Sequence, residues 1–306
     1  STGCACPSGQ YCREGSTDCR DCADFARLRF SAPERLSTLS DLGEGTLRFP
    51  RVGEAGGDLF YRSQAVGTQT NWYTTDVSTS AGNPLDPTFP PDGAPLLLGM
   101  EIAGPTQEQN FNFVFNRTVP GGLEKLFFAR WAAGLQGARE APAPYNALGT
   151  NDYSLAIATQ PTGVNVPRAY WMTDRDLVVG LVTTLVRWNS NSAVVPVPLK
   201  VGRLDCGDEP ADLTPWVTPD GTSLLFNTTA LDDSCAPSNN GADLYVAPMD
   251  PVSGQQRTDS AVVPLSDVNG PAQDRDPSFS RDFCELYFSS DRGGSSNFDL
   301  YRARRR

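Results

Sequence analysis

The chain has 306 residues, a mass of 33.0 kDa and 39% hydrophobic content, enough apolar material for one large core or two ordinary domains. Thirty-six Asp and Glu oppose 25 Lys and Arg, and the resulting formal charge of −11 disfavours nucleic acid as a partner. The absence of histidine excludes Ser-His-Asp and Cys-His catalysis, histidine zinc sites and the usual haem ligation, and leaves carboxylate chemistry, calcium sites and pure binding.

The first element in chain order is a cysteine-rich arm over residues 1–24, followed by a single predicted domain over 25–306. Cys4, Cys6, Cys12, Cys19 and Cys22 lie among Gly, Ser and Pro with few apolar neighbours, so the arm needs cross-links in place of a core. Gaps of 1, 5, 6 and 2 residues lack the paired C-x2-C spacing of a zinc knuckle, which favours a disulfide knot. An odd number of cysteines needs an outside partner if all are paired. Cys284 is the candidate, leaving Cys206 and Cys235 as a pair across a loop. Disulfides point to the periplasm, the cell surface or the exterior, and a chain opening at Ser1 into such an arm reads as processed. The longest apolar runs, such as 177–186, are far short of the roughly 20 residues of a membrane helix, so no transmembrane segment is expected.

Beyond the arm, helix signals are poor. Short runs rich in Val, Leu, Phe and Tyr alternate with Gly, Pro, Asn, Asp and Ser clusters, an all-β pattern. First strands are expected near 47–51, 96–102, 154–159, 214–218 and 276–280. Second strands follow near 59–63, 113–116, 170–173, 224–227 and 286–289, and third strands near 72–75, 126–130, 179–185, 244–247 and 300–303. The second strands recur every 54 to 62 residues, and Ser260–Leu265 echoes Ser192–Pro196 at the same stage of its unit. Self-similarity at such a period marks a repeat fold.

A four-stranded unit cannot bury both faces alone, whereas a ring of units shares apolar faces and removes open sheet edges. The expected fold is therefore an all-β propeller, with five blades favoured over six and a β-sandwich as the alternative. Phe89-Pro90-Pro91-Asp92-Gly93 is where a sixth blade would begin. The final unit ends without an outer strand, and Phe30–Leu36 is placed to supply it, so the N-terminal strand should close the last blade. That brings residues 22–36 close to Cys284, independently of cysteine parity.

The units Thr218-Pro219-Asp220-Gly221…Leu225-Phe226…Asp243-Leu244-Tyr245 and Asp276-Pro277…Phe279-Ser280-Arg281-Asp282…Leu286-Tyr287-Phe288-Ser289-Ser290-Asp291-Arg292…Asp299-Leu300-Tyr301 resemble the WD40-like repeats of TolB-type β-propellers. The resemblance covers about residues 213–306, and Asp282-Phe283 departs from the usual Asp-Gly turn. It implies a periplasmic or exported scaffold that often binds proteins, in a family commonly six-bladed.

The recurring Asp220, Asp243, Asp276, Asp282, Asp291 and Asp299 are read as turn caps that preserve blade geometry. Asp274 with Asp276, and Asp232 with Asp233, offer calcium oxygens, but neither pair lies in a D-x-[DN]-x-[DN]-G loop, so no metal or cofactor is assigned and calcium stays an unsupported option. Trp72, Trp131, Trp188 and Trp216 are candidates for stacking on sugar rings, with core packing as the plainer role. Asn116-Arg117-Thr118 and Asn227-Thr228-Thr229 match the glycosylation acceptor pattern. Arg302, Arg304, Arg305 and Arg306 form a basic tip, either solvated or docking an acidic neighbour such as another copy.

The least demanding functional reading is a non-enzymatic exported or surface scaffold that binds protein or its own copies through propeller loops, with no catalytic residue assigned. The alternatives are a lectin-like carbohydrate module and a carboxylate-dependent glycoside hydrolase, which needs two acids about 5 to 10 Å apart.

Overall fold

The computed structural model describes residues 9–12, 19–22, 24–25, 28–40, 46–52, 59–65, 68–74, 83–84, 96–101, 113–131, 135–164, 167–174, 184–188, 194–197, 199, 214–231, 237–280, 282–294 and 297–306. They form an all-β structure with a single helical turn, α1 (Ser37–Ser40). A small hairpin, β1 (Gln10–Cys12) with β2 (Cys19–Asp21), stands apart from five four-stranded antiparallel sheets.

The first sheet is β4 (Thr46–Val52), β5 (Leu59–Ala65), β6 (Thr68–Thr74) and β7 (Asn83–Pro84). The second is β8 (Leu96–Glu101), β9 (Phe113–Thr118), β10 (Glu124–Trp131) and β11 (Leu135–Glu140). The third is β12 (Asp152–Ala158), β13 (Arg168–Thr173), β14 (Thr184–Trp188) and β15 (Val195–Pro196). The fourth is β16 (Trp216–Val217), β17 (Ser223–Leu231), β18 (Pro237–Pro248) and β19 (Val263–Pro264). In the fifth, β20 (Asp274–Phe279), β21 (Glu285–Ser290) and β22 (Asp299–Arg304) take their outer strand from the chain's beginning, β3 (Glu34–Arg35).

The sequence-predicted strands agree closely with these ranges, because alternating and fully apolar runs flanked by turn residues leave little freedom in phase. The third unit differs: its third strand is β14, beginning at Thr184, and 175–183 lie outside the described residues. The segment 85–95, where a sixth unit would begin, also lies outside them.

Five apolar clusters show how the sheets pack. Phe60 of the first sheet meets Phe113, Phe115 and Phe127 of the second, while Val114, Leu126 and Phe128 meet Leu155, Ala169 and Trp171 of the third. Ala156, Tyr170 and Val197 pack on Val217, Leu224 and Tyr245 of the fourth, and Leu225, Leu244 and Trp216 pack on Phe279, Leu286 and Phe288 of the fifth. The fifth returns to the first through Tyr287 and Leu300 against Leu47, Val52 and Leu59, with Leu36 and Leu39 filling the seam. Each sheet thus buries both faces against neighbours, and each large side chain so buried contributes about 1.5–3 kcal/mol. This is the packing of a β-propeller.

Among the described residues the same crossover device occurs at three junctions. After the outer strand, Leu265 N–H bonds Leu244 C=O, Val268 and Asn269 N–H bond back to Leu265 C=O, and the Asn269 amide clasps Leu244 N–H at 3.0 Å and its C=O at 2.9 Å. Asn146 clasps Leu126 in the same way, at 2.9 and 2.8 Å. At the closing seam, Leu36 N–H bonds Leu300 C=O, Leu39 and Ser40 bond back to Leu36, and Ser40 Oγ accepts from Leu300 N–H. Leu36-Ser37-Thr38-Leu39-Ser40 is therefore the counterpart of Leu265-Ser266-Asp267-Val268-Asn269, which makes the N-terminal segment the last part of the final sheet and the entry to the first.

The ends are also joined covalently. Cys22 bonds Cys284, with Cα atoms 5.0 Å apart, as cysteine parity and strand closure both anticipated. Phe25 packs edge-on against Phe279 and Phe283, and the Arg305 guanidinium lies over Tyr11 and Phe30 while donating to Asp24 C=O. Cys12 and Cys19 are opposite one another in the β1–β2 hairpin. Cys4, Cys6, Cys206 and Cys235 lie outside the described residues.

Candidate functional site

The first strands, β4, β8, β12, β16 and β20, are the inner strands of the ring, and four of them carry register shifts, at Arg48/Arg51, Leu96/Leu98, Tyr153/Ala156 and Arg275/Ser278. A bulge turns a side chain out of the regular alternation and is common beside functional sites. Two of the shifts hold non-glycine residues at positive φ, Ser154 at 55° and Asp276 at 58°, a conformation costing about 1–3 kcal/mol that persists only where surroundings impose it.

At Asp276 the surroundings are explicit. Its buried carboxylate pairs with Arg48 of β4, Nε to Oδ2 at 2.6 Å, and accepts from Thr214 Oγ1 at 2.9 Å, while its N–H donates to Asn227 Oδ1 at 3.0 Å. One residue thus ties together the first, fourth and fifth sheets. Burial pushes this carboxyl up, but the charges of Arg48 and Arg51 and the hydrogen bonds from Arg48 and Thr214 outweigh it and hold it down at about 2. Arg51, on the same inner strand, is fully buried and donates through Nη1 to the carbonyls of Pro50, Asp276 and Pro277. Its Nε and Nη2 have no hydrogen-bond partner among the described residues, and burial pushes its guanidinium down to about 10 despite the nearby Asp276.

Two further carboxylates open inner strands. Asp152, at the start of β12, accepts from Trp171 Nε1, Ala147 N–H and Thr150 Oγ1 and lies 3.5 Å from Lys125 Nζ. Asp274, at the start of β20, accepts from Arg292 Nη2 at 2.6 Å and from Gly270 N–H. Burial raises its proton affinity, opposed by the bonds from Ser290, Arg292 and Gly270. Beside it, on β18, Asp243 is half-buried with an unpartnered Oδ1, and burial followed by the charge of Asp274 pushes it up to about 6 against the pull of Arg292. The inner strands β12 and β20 thus carry buried carboxylates, each held by a cation: Asp152 by Lys125, Asp274 by Arg292 and Asp276 by Arg48.

Several sequence-predicted residues have other roles. Asp220 and Asp282 do cap turns, accepting from Thr222 and Cys284 N–H. Asp291 instead fastens Gln273 N–H, and Asp299 pairs with Arg35 at 2.8 Å. Asp276 and Asp243 are not caps, and the cation beside both Asp274 and Asp276 is a guanidinium. Asp232 and Asp233 lie outside the described residues, among which no acidic group of metal-binding geometry occurs. Both glycosylation acceptors are buried: Asn116 donates to Glu124 and Asn227 holds Asp276. The C-terminal arginines find acids of their own chain, Arg302 and Arg304 with Glu34 and Glu285, and Arg306 with Asp267.

Trp216 is buried against Phe279 and Phe283. Trp72, Trp131 and Trp188 lie in β6, β10 and β14, with side chains outside the described residues. No signal in the sequence marked Arg48, Arg51 or Thr214, and Asn227 was marked only as a glycosylation acceptor. Each looks ordinary in its own strand and becomes part of a site only through a partner in another sheet.

No protein-family model and no curated protein matches the chain. Solved structures do. A thermostable family-43 glycoside hydrolase superposes with a TM-score of 0.53 at 11% identity, covering 85% of this chain and 88% of that one. The RS223 β-xylosidase gives 0.52 at 9% identity, covering 89% and 94%. A TolB protein of Agrobacterium tumefaciens gives 0.44 at 14% identity, covering 80% and 70%. The fold shared is a β-propeller, and the TolB-type resemblance of the sequence narrows to that. The expectation of a non-enzymatic scaffold is corrected here: it had rested on demanding the least chemistry and on the TolB-type resemblance, whereas these two high-coverage likenesses are to glycoside-cleaving enzymes. Among the described residues, no helix is long and apolar enough to cross a membrane, and the Cys22–Cys284 bond fits an oxidising, non-cytoplasmic compartment.

Proposed function

We propose that this protein is an exported, carbohydrate-active propeller that hydrolyses glycosidic bonds with carboxylates at the mouth of its ring. The supporting observation is the fold shared, over most of both chains, with two glycoside hydrolases, in a chain without histidine whose inner strands β12 and β20 carry the buried carboxylates Asp152, Asp274 and Asp276. Glycoside hydrolysis needs a proton donor and an ionised carboxylate. Asp152, Asp274 and Asp276 are each bound to a cation and to hydrogen-bond donors, so their part is to fix the inner strands. The arm of residues 1–24 serves as a staple for the domain of residues 25–306. Trp72, Trp131 and Trp188 are the stacking candidates for saccharide rings.

The test is turnover of aryl β-xylosides and other aryl pentosides and hexosides, with release of reducing ends from oligosaccharides, followed by an Asp/Glu-to-amide scan around the mouth. One or two amide variants should abolish turnover while retaining the circular dichroism of the parent. Binding of glycans without turnover would transfer the reading to a lectin-like module. Neither binding nor turnover on a broad glycan panel would reject it.

A further inference from the structure

Two junctions of the ring correspond in how they are clasped. Asn146 clasps Leu126 on β10 and Asn269 clasps Leu244 on β18, each through both N–H and C=O. The residue preceding the clasped leucine is Lys125 in one case and Asp243 in the other. Each neighbours the first residue of the next inner strand, Asp152 or Asp274, both of which are fully buried. Where the second and third sheets meet, the pair is a salt bridge, Lys125 Nζ to Asp152 Oδ2 at 3.5 Å. Where the fourth and fifth meet, the position of the lysine is held by an acid, Asp243, whose proton affinity the charge of Asp274 raises.

The groups around Asp243 define its charge state. From the fifth sheet come Asp274 on β20 and Arg292 just after β21. Arg292 bonds Asp274 Oδ1 and Val268 C=O and lies over the rings of Phe288 and Tyr301. Gly270 N–H occupies Asp274 Oδ2. On β17 the opposing residue is the uncharged Thr228, on its own strand Tyr245 feels its charge, and Gly241, with φ of 86°, abuts Gln273 so closely that a Cβ there would collide. Asp243 Oδ1 is buried without a hydrogen-bond partner among the described residues. Arg292 therefore bonds Asp274 and acts on Asp243 through its charge alone. With both ionised, the junction holds an uncompensated negative charge in a poorly solvated place, and one proton neutralises it.

We propose that this junction is a proton-operated clasp: a proton held by Asp243 against Asp274 keeps the fourth and fifth sheets apposed, and its loss loosens β18 and the 265–269 turn fastened to it. The direction of the proton linkage agrees. Burial and Asp274 raise Asp243 from 3.8 to about 6, so the folded protein binds the proton more tightly than the unfolded chain. The stabilisation is complete below 3.8 and is lost as pH rises through about 6.

The Lys125–Asp152 junction supplies an internal control. Amide hydrogen exchange of Leu244 relative to Leu126, in one intact molecule, cancels the common base catalysis of exchange. Between about pH 4.5 and about pH 8, the protection of Leu244 relative to Leu126 should fall about tenfold, a figure reduced for the half-exposed position. In D243N the ratio should stay flat, and D243K, which copies the Lys125 arrangement, should protect Leu244 better than wild type at the alkaline end. A constant ratio in wild type, or an equal fall in D243N, overturns the proposal. Should the variants fail to fold, the carboxyl carbon-13 titration of wild-type Asp243 decides it: a midpoint in the ordinary carboxylate range overturns the clasp. None of these readouts depends on glycosidase activity.

Discussion

Replacing Cys22 and Cys284 together by serine should cost this protein a substantial part of its stability. The bond joins residues 262 apart in sequence, and the chain-entropy relation for a loop of that size gives about 5.5 kcal/mol at 25 °C, with about 3–5 kcal/mol expected in practice. Non-covalent closure acts beside it. β3 pairs with β22 at Arg35↔Tyr301 and Glu34↔Arg302, supplemented by the Phe30↔Arg305 bridge, the Leu36 and Ser40 bonds to Leu300, the Arg35–Asp299 pair, the packing of Leu36 and Leu39 and the Phe25 and Arg305 aromatic contacts. Urea and thermal unfolding, followed by circular dichroism and compared with wild type under non-reducing conditions, measure the loss. For a chain this long, 4 kcal/mol corresponds to a fall of about 6 °C in Tm. The double variant avoids reducing other cysteines, which added thiol would not. A double variant melting with the wild type, at the same midpoint and slope, would refute the entropy argument and show that β3 and its aromatic contacts close the ring unaided.

Other perturbations test the interior network. D276N should destabilise by about 3–5 kcal/mol, because it leaves Arg48 and Arg51 buried without their carboxylate, and chemical denaturation reads this directly. In wild type, the depressed Asp276 at about 2 against 3.8 unfolded supplies roughly 2 kcal/mol above pH 3.8, lost as pH falls through about 2, so an acid titration of D276N should lack that component. N146A and N269A should each cost about 1–3 kcal/mol, since each strips two buried bonds from a leucine backbone. Their effects should add, being at separate junctions. Secretion from a glycosylating host should leave Asn116 and Asn227 unmodified by mass, because both amides are buried and engaged.

The strand layout was legible because it depends on local rules. Leu224-Leu225-Phe226 and Leu286-Tyr287-Phe288 are apolar runs bounded by Asp-Gly or Arg-Asp turns, and their phase follows from which faces are buried. Cys284 was legible as the partner of the arm because parity and strand closure pointed to the same place. The acids were not. Asp220 and Asp276 look alike in sequence, each beside a proline at a strand boundary, yet one caps an exposed turn and the other carries the inter-sheet network. Their difference lies in Arg48 and Thr214, 228 and 62 residues away, and no local pattern records a partner at that distance. The burial of Asn116 and Asn227 was hidden for the same reason.

Length, absence of histidine, cysteine placement and strand periodicity by themselves determined an all-β repeat architecture tied to its own N-terminus, because composition and alternation act residue by residue along the chain. Tertiary structure alone decided that Leu36–Ser40 repeats Leu265–Asn269 and that the basic C-terminal tip is paired within its own chain. It alone decided that Lys125 and Asp243 occupy one position with opposite charge. Those outcomes depend on which side chains from separate sheets share a poorly solvated space, where the nearest partner, more than the residue type, sets whether an acid is ionised, bonded or left holding a proton.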